Sequence, residues 1–394
     1  MTSWTTVRAR SATPTNPSDF CLAKPKKQLR TNFRKNRSSR VRESDWTRKF
    51  NTQNVEEDAA HDERLSGKGE LTRKRTVRGS EVNDEAGLGV RLDVDESVCL
   101  RGRVLAVHGL TSTVEAEDGQ HYQCAVRRLL KTLHTDMRHV VAAGDKVLFR
   151  PADREGIIER IEPRHGVLSR ESRGRQQVLV ANVDQLIIVA SAAEPYLKPN
   201  LIDRFLVCAE QNHLRAVVCI NKIDLVDAAA LEPLVGVYAQ MGYRVLLLSA
   251  QTGFGIDRLR RRLLGSQSVV AGQSGVGKSS LLNAVQPGLG QAVAEVSAET
   301  EKGRHTTTTA RLLPLAGGGY VVDTPGIRQF QLWDVIPQEV AGLYRDLRPL
   351  VSRCAFPDCT HQHEADCAVK DAVADGWLDA RRYESYLNLY GGEG

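Results

Sequence analysis

The hydrophobic rhythm of the chain changes three times. Residues 1 to about 90 carry no periodic apolar pattern, and stretches such as KPKKQLRTNFRKNRSSR and NVEEDAAHDERLSGKGE are polar and charged throughout. Such segments bury too little apolar surface to offset ordering entropy, so residues 1–95 are expected to form a basic, mostly disordered arm. From 96 to 168 the pattern becomes short alternating runs (RGRVLAVHG, STVEAEDGQHYQCAVRR, GDKVLFRP, GIIERIEPR), broken at Asp118-Gly119, Gly144-Asp145 and Pro151. Alternation at this spacing predicts a small β-barrel. A five-stranded OB type fits the length, although periodicity does not separate it from an SH3-like barrel.

Over 169–335 the apolar runs lose their alternation. DQLIIVASA, RAVVCINKID, YRVLLLSA, QSVVAGQSG and YVVDTPG are continuous in Val, Ile and Leu, and the first four each precede a helix-like segment. Strands buried on both faces and interleaved with helices predict a mostly parallel α/β sheet. The last stretch, 336–394, reads as helices around a Cys/His cluster. The fold expected is thus multi-domain: an OB-type barrel, an α/β P-loop domain and a small helical metal-binding domain, within 394 residues.

No apolar run approaches the roughly 20 residues that cross a bilayer, and no secretory signal opens the chain. The absence of acids before Asp19, with Arg8 and Arg10 present, leaves an organelle transit peptide open. A cytoplasmic protein is the default expectation. Charge sharpens this picture. The net charge is +6, yet Lys24 to Phe50 alone holds eleven Lys/Arg against two acids, a net of +9 that leaves the remainder near −3. Basicity therefore belongs to the arm, which reads as a phosphate-binding tail for RNA. An OB-type barrel would add a second nucleic-acid surface.

The strongest chemical signal is Gly272-Gln273-Ser274-Gly275-Val276-Gly277-Lys278-Ser279, followed by Ser280, between an apolar strand and an apolar helix. It satisfies G-x-x-x-x-G-K-[ST]. Glycines let backbone N–H groups wrap phosphates, and the helix N-terminus adds positive potential. Lys278 is expected on the β- and γ-phosphates, and the Ser279 hydroxyl on Mg²⁺. Asn221-Lys222-Ile223-Asp224 follows a second strand, and here the Asp224 carboxylate accepts from guanine N1–H and the exocyclic amine. Adenine would leave that carboxylate unmatched. Ser249-Ala250 closes a third strand and lets a backbone N–H approach the guanine oxygen. Asp323-Thr324-Pro325-Gly326 supplies a second Mg²⁺ partner in Asp323 and a γ-phosphate contact at the Gly326 N–H. One threonine of Thr306, Thr307, Thr308 and Thr309 completes the Mg²⁺ shell. Thr307 is the candidate, although spacing alone does not choose.

The order of these motifs is NKID, SA, P-loop, threonines, DTPG, a circular permutation of the ordinary GTPase order. The segment after DTPG runs straight into the C-terminal domain, so nucleotide state and that domain's orientation are expected to be coupled. Ile327 stands where many GTPases carry a water-orienting Gln. Unaided hydrolysis is therefore expected to be slow, with His305 as the water-positioning group. The last constellation is Cys354-x4-Cys359-x-His361-x5-Cys367, a closed set of three thiolates and one imidazole suited to structural zinc. His363 is the alternative ligand to His361, and a redox role for the cysteines is a rival reading.

GQSGVGKSSLLNA, NKIDL, GRHTTTTARL, DTPG with a hydrophobic successor, and CAFPDCTHQHEADCAV together resemble the ribosome-small-subunit-dependent GTPase A family (RsgA, also YjeQ). The resemblance spans about residues 96–390, with a shorter basic likeness at KKQLRTNFRKNR. It implies slow GTP hydrolysis stimulated by the small (30S) ribosomal subunit, rRNA binding, and a late role in maturing that subunit. It also implies zinc on Cys354, Cys359, His361 and Cys367, and a water-positioning role for His305. Residues 1–23 and 50–90 exceed the family's usual arm. A nucleotide-gated RNA-binding module with incidental hydrolysis is the competing function, and a monomer is expected.

Overall fold

The computed structural model describes residues 28–32, 74–81, 90–133, 139–172, 175–290, 310–323 and 336–392. Three short strands lie within or beside the stretch expected to lack regular structure: β1 (Gln28–Asn32), β2 (Lys74–Glu81) and β3 (Val90–Leu92). They form one antiparallel sheet, with Gln28 opposite Arg78 and Ser80 opposite Arg91. Leu92 ends β3 and is buried in the core of the barrel that follows.

The barrel comprises β4 (Leu100–His108), β5 (Thr111–Ala116), β6 (His121–Val126), β7 (Lys146–Ala152) and β8 (Glu155–Ile161), with α1 (Arg128–Leu133) between the third and fourth strands. Burial alternates along β5 and β6, the period of a strand with one face inward. Val114, Tyr122, Cys124, Phe149 and Ile158 fill the interior. Closure comes from β4, which pairs with both β5 and β7, while β6 and β8 run parallel. That closed order, 1-2-3-5-4-1, with a helix after strand three, identifies an OB-type barrel rather than an SH3-like one.

After a hairpin of β9 (Leu168–Ser172) and β10 (Arg175–Val180), the chain enters the α/β region. Its strands are β11 (Gln185–Ser191), β12 (Arg215–Asn221), β13 (Arg244–Leu247), β14 (Gln267–Ala271), β15 (Arg311–Pro314) and β16 (Tyr320–Asp323). The spatial order is β13-β12-β11-β14-β16-β15, and only β15 runs antiparallel to its neighbour. Helices α2 (Pro199–Gln211), α3 (Glu232–Gln240), α4 (Ile256–Leu263) and α5 (Lys278–Val285) cover the faces. Strand β11 shows why its run is continuously apolar. Leu186 and Ile188 join the core under Phe205 and Tyr238, while Ile187 and Val189 join the opposite core with Leu259 and Leu281.

Barrel and α/β sheet are one hydrogen-bonded surface, joined where Arg311 of β15 pairs with Ala106 of β4. Side chains reinforce the seam. The Tyr320 hydroxyl donates to Glu115 at 2.5 Å, and the Arg103 guanidinium lies 4.7 Å above the Tyr320 ring. Arg103 also donates to Gln267 at 2.9 Å. The C-terminal lobe comprises α6 (Pro337–Leu343), α7 (Arg348–Val351), α8 (Ala368–Ala374) and α9 (Ala380–Tyr390). Its core of Tyr344, Leu347, Val369 and Tyr386 also takes in Val207 of α2. Helix α2 is therefore wedged between the sheet and the lobe, which accounts for its burial on more than one side. Among the described residues no helix is long and apolar enough to cross a membrane.

Candidate nucleotide site and metal centre

A doubly wound sheet offers its ligand crevice where neighbouring strands lead off in opposite directions. Here that point lies between β11 and β14. The chain proceeds from β11 outward through β12 to β13, whereas β16 and β15 lie on the other side of β14. The strand register brings the motif-bearing ends together: Ser191 stands beside Asn221, Ile220 beside Leu247, Ile188 beside Ala271 and Val269 beside Val322. Permuted order and shared location are thus compatible, because the sheet depends on pairing rather than on chain sequence.

The loop Gly272–Gly277 leaves β14 and enters α5 at Lys278. Gly272 has φ +148 and sits so close to β11 that an added Cβ would meet the Val189 carbonyl oxygen at 2.1 Å. Gly277, at φ +91, would drive a Cβ to 2.4 Å from Asn221 Nδ2. Both are positions that only glycine fills without displacement. The Lys278 ammonium donates to the carbonyls of Gly272 and Gln273, at 2.8 Å each. Val276 is buried, while Ser274 and Gly275 are exposed at the loop's outer edge.

Asn221 joins the three motifs. Fully buried, it donates from Nδ2 to the Val276 carbonyl at 2.9 Å and accepts from the Ala250 N–H at 3.3 Å. The Ser249 hydroxyl donates to Asp224 at 2.5 Å and accepts from the Thr252 N–H at 3.1 Å. Lys222 holds a left-handed backbone (φ 62) and directs its ammonium to the Glu194 carbonyl. Ile223 opens the short turn carrying Asp224, which is exposed. The contribution of the Glu194 loop has no signature in sequence, because its carbonyl and not its side chain makes the contact. Ser279 and Ser280 lie in the first turn of α5, and Asp323 ends β16. His305, Thr306 to Thr309, Gly326 and Ile327 lie outside the described residues.

In the C-terminal lobe, Cys354, Cys359, His361 and Cys367 each offer a ligand atom, all within 4.8 Å of one another. His361 Nδ1 is 3.5 Å from Cys354 Sγ and 3.4 Å from Cys367 Sγ, and the two sulfurs are 3.9 Å apart. Bonds of about 2.0–2.3 Å to a tetrahedral ion imply edges of about 3.3–3.8 Å, so the donor set can hold one metal ion. Of the two histidines, His361 is buried and His363 exposed. Burial lowers the His361 pKa, favouring the neutral imidazole that ligates. Burial also pushes the Cys359 thiol up to about 12, so its thiolate needs a neighbouring cation.

The loop is folded by its own side chains. Glu364 accepts from Thr360 N and Oγ1 at 2.7 and 2.5 Å and from Gln362 N at 3.0 Å, and these bonds hold its carboxyl well below the usual range. Two tyrosines on α9 grip the backbone: Tyr383 donates to the His361 carbonyl at 2.7 Å and Tyr386 to that of Thr360 at 2.8 Å. Sequence reading overlooked both, although their i, i+3 spacing on one helix face was visible.

Residues 161–333 match the family profile described as RsgA GTPase. A small ribosomal subunit biogenesis GTPase RsgA of Chlorobaculum parvum is 40% identical over 303 residues, covering 74% of this chain and 97% of that protein. The protein of the same description from Thermotoga petrophila is 40% identical over 295 residues, covering 74% and 95%. Among solved structures, YjeQ from Thermotoga maritima aligns with a TM-score of 0.63 at 37% identity, over 75% of this chain and 98% of that one. YloQ, described as a circularly permuted GTPase, aligns at 0.59 and 28% identity, over 75% and 95%. With its motifs permuted in sequence and reunited at one switch point, and with relatives at this identity spanned almost end to end, the chain belongs to the RsgA GTPase family.

Proposed function

We infer that this protein hydrolyses GTP as a late-stage maturation factor of the small (30S) ribosomal subunit, which stimulates its turnover. The observation that carries the reading is the Asn221 amide, which bonds the P-loop through Val276 and the Ser249-Ala250 turn at once. An amide in that position holds base-reading and phosphate-reading loops at a fixed separation, as a nucleotide site requires. In this reading Asp224 selects guanine, Lys222 covers the base, and the Ala250 N–H faces the guanine oxygen. Lys278 neutralises the β- and γ-phosphates. Ser279 and Asp323 organise Mg²⁺ with Thr307, Gly326 contacts the γ-phosphate, and His305 aligns the attacking water.

The four-ligand cluster is assigned to a single structural zinc, which would supply folding energy to the lobe and not chemistry. Domain limits follow as 1–95, 96–168, 169–335 and 336–394. The +9 arm and the OB-type barrel are the proposed rRNA-facing parts, on a monomer in the cytoplasm with no membrane partner. Ile327 favours a second reading, a nucleotide-gated RNA-binding module whose hydrolysis is incidental.

GTP turnover measured with and without isolated small subunits, at fixed physiological salt, separates the two. Strong stimulation that vanishes in Lys278→Ala supports the assembly GTPase. Tight guanine nucleotide binding without stimulation supports the binding module instead.

A further inference from the structure

Helix α2 receives two clamps from the metal lobe, and the first is buried. Arg382 and Asp203 are 2% and 1% exposed. Arg382 Nη1 lies 2.5 Å from Asp203 Oδ1, while Nε and Nη2 fork onto the two oxygens of Asp346 at 2.9 and 3.0 Å. The guanidinium stacks 4.3 Å above the Tyr344 ring. The Tyr238 hydroxyl stands 2.9 Å from Asp203 Oδ1 and 3.4 Å from the Pro199 carbonyl, tying the ion pair to the first turn of α2. At the other end of the helix, Arg345 and Arg348 converge on Glu210 at 2.6 and 3.0 Å.

What precedes α2 is the strap from Ala192 to Lys198, which is fastened to the base-reading loop. The Ala192 N–H donates to the Asn221 carbonyl at 2.8 Å, and the Glu194 carbonyl receives the Lys222 ammonium. Pro195 Cδ lies 3.7 Å from the Cβ position of Gly275 in the P-loop. The strap is held by β11 at one end and by α2 at the other, so its path depends on where α2 sits. Helix α9 carries Arg382 next to Tyr383, and three residues on it carries Tyr386, the two residues that grip the metal loop.

We propose that Arg382 is a positioning residue of the guanine site: through Asp203 it fixes α2, and α2 fixes the strap that holds Lys222. A buried pair at this spot is costly to desolvate and adds little net stability, so its value is geometric. Its consequence is that the metal lobe, far along the chain, helps hold the loop on which guanine is read. This inference rests on the assignment of Asn221–Asp224 as the guanine-reading loop.

The test uses the full-length, metal-loaded protein, with metal content measured for every variant and GDP and ADP as probes. Arg382→Met is expected to weaken GDP binding about tenfold, a coupling of ordinary size, while ADP binding through the P-loop stays unchanged. Arg382→Lys, with the charge but without the fork, falls between. Hydrogen exchange at 192–211 is expected to quicken in Arg382→Met and equally in chelated wild type. A folded, metal-loaded Arg382→Met that keeps the wild-type GDP-to-ADP ratio overturns the proposal, as does an equal loss for both nucleotides. Should Arg382→Met fail to fold, Asp203→Asn and chelated wild type carry the same measurement, and an unchanged ratio in both overturns it. A wild-type protein with no preference for GDP over ADP sinks the guanine-loop assignment instead.

Discussion

At the scale of single residues, the site depends on atoms that are missing as much as on atoms present. Gly277 faces Asn221 so closely that one methyl group cannot fit without moving a buried amide. Gly277→Ala is expected to cost about 1–3 kcal/mol in strain and to weaken nucleotide binding at least tenfold, read by fluorescence titration and thermal melting. Wild-type affinity in that variant would mean that the loop and Asn221 are not held as described. The glycine itself was legible, because the P-loop pattern demands it. Its partner was not, since Asn221 and Gly277 are brought together only by the pairing of β11 with its two neighbours. The Arg382–Asp203 pair escaped for the same reason: nothing local marks either residue, and 179 positions separate them.

At the scale of elements, local rules hold at the ends of helices. Asp379 caps α9, accepting from the Arg381 N–H at 2.9 Å, and its salt bridge and hydrogen bond with Arg381 keep its carboxyl below the ordinary value of 3.8. A depressed carboxylate stabilises the fold at pH above its unfolded value, and the effect is lost as pH falls through the lowered folded value. Asp379→Ala is expected to cost about 1 kcal/mol near neutral pH, with the difference from wild type vanishing in acid. An unchanged gap at acidic pH would show that the cap does not act through its charge. Strand β11 was readable because burial on both faces leaves a continuous apolar run. The barrel's closure was not, because parallel pairing of β6 with β8 and the return of β7 to β4 leave no trace in alternation. Strands β1 and β2 escaped too: KKQLRTN has no apolar face to announce one.

At the scale of the whole molecule, the seam between barrel and α/β sheet joins the Arg311–Ala106 strand contact to a small polar network, with Leu105 of β4 reaching into the α/β core. Burial and Glu115 push the Tyr320 hydroxyl up to about 12, so it remains a donor across the physiological range. Tyr320→Phe is expected to lose about 1 kcal/mol and to quicken hydrogen exchange in β15 and β16. Unaltered exchange in both strands would relieve Tyr320 of any part in the seam. The expectation that the C-terminal lobe follows the DTPG segment now has a counterweight. Residues 324–335 lie outside the described part, while the lobe is fastened to α2 through Arg382, Arg345 and Arg348.

The interleaved strand order also has a consequence for synthesis. Strand β14 lies between β11 and β16, and pairs Ser268 with Gln185. A chain made from its N-terminus therefore finishes β11, β12 and β13 while one edge of β11, rich in Leu, Ile and Val, still awaits its neighbour. Until the P-loop strand emerges, that edge is open to another nascent chain. A truncation ending at residue 265 is expected to self-associate, measured by light scattering, whereas one that extends through β16 is not. The strand that leads into the glycine-rich loop of the finished protein is, during translation, the one that closes this edge of β11.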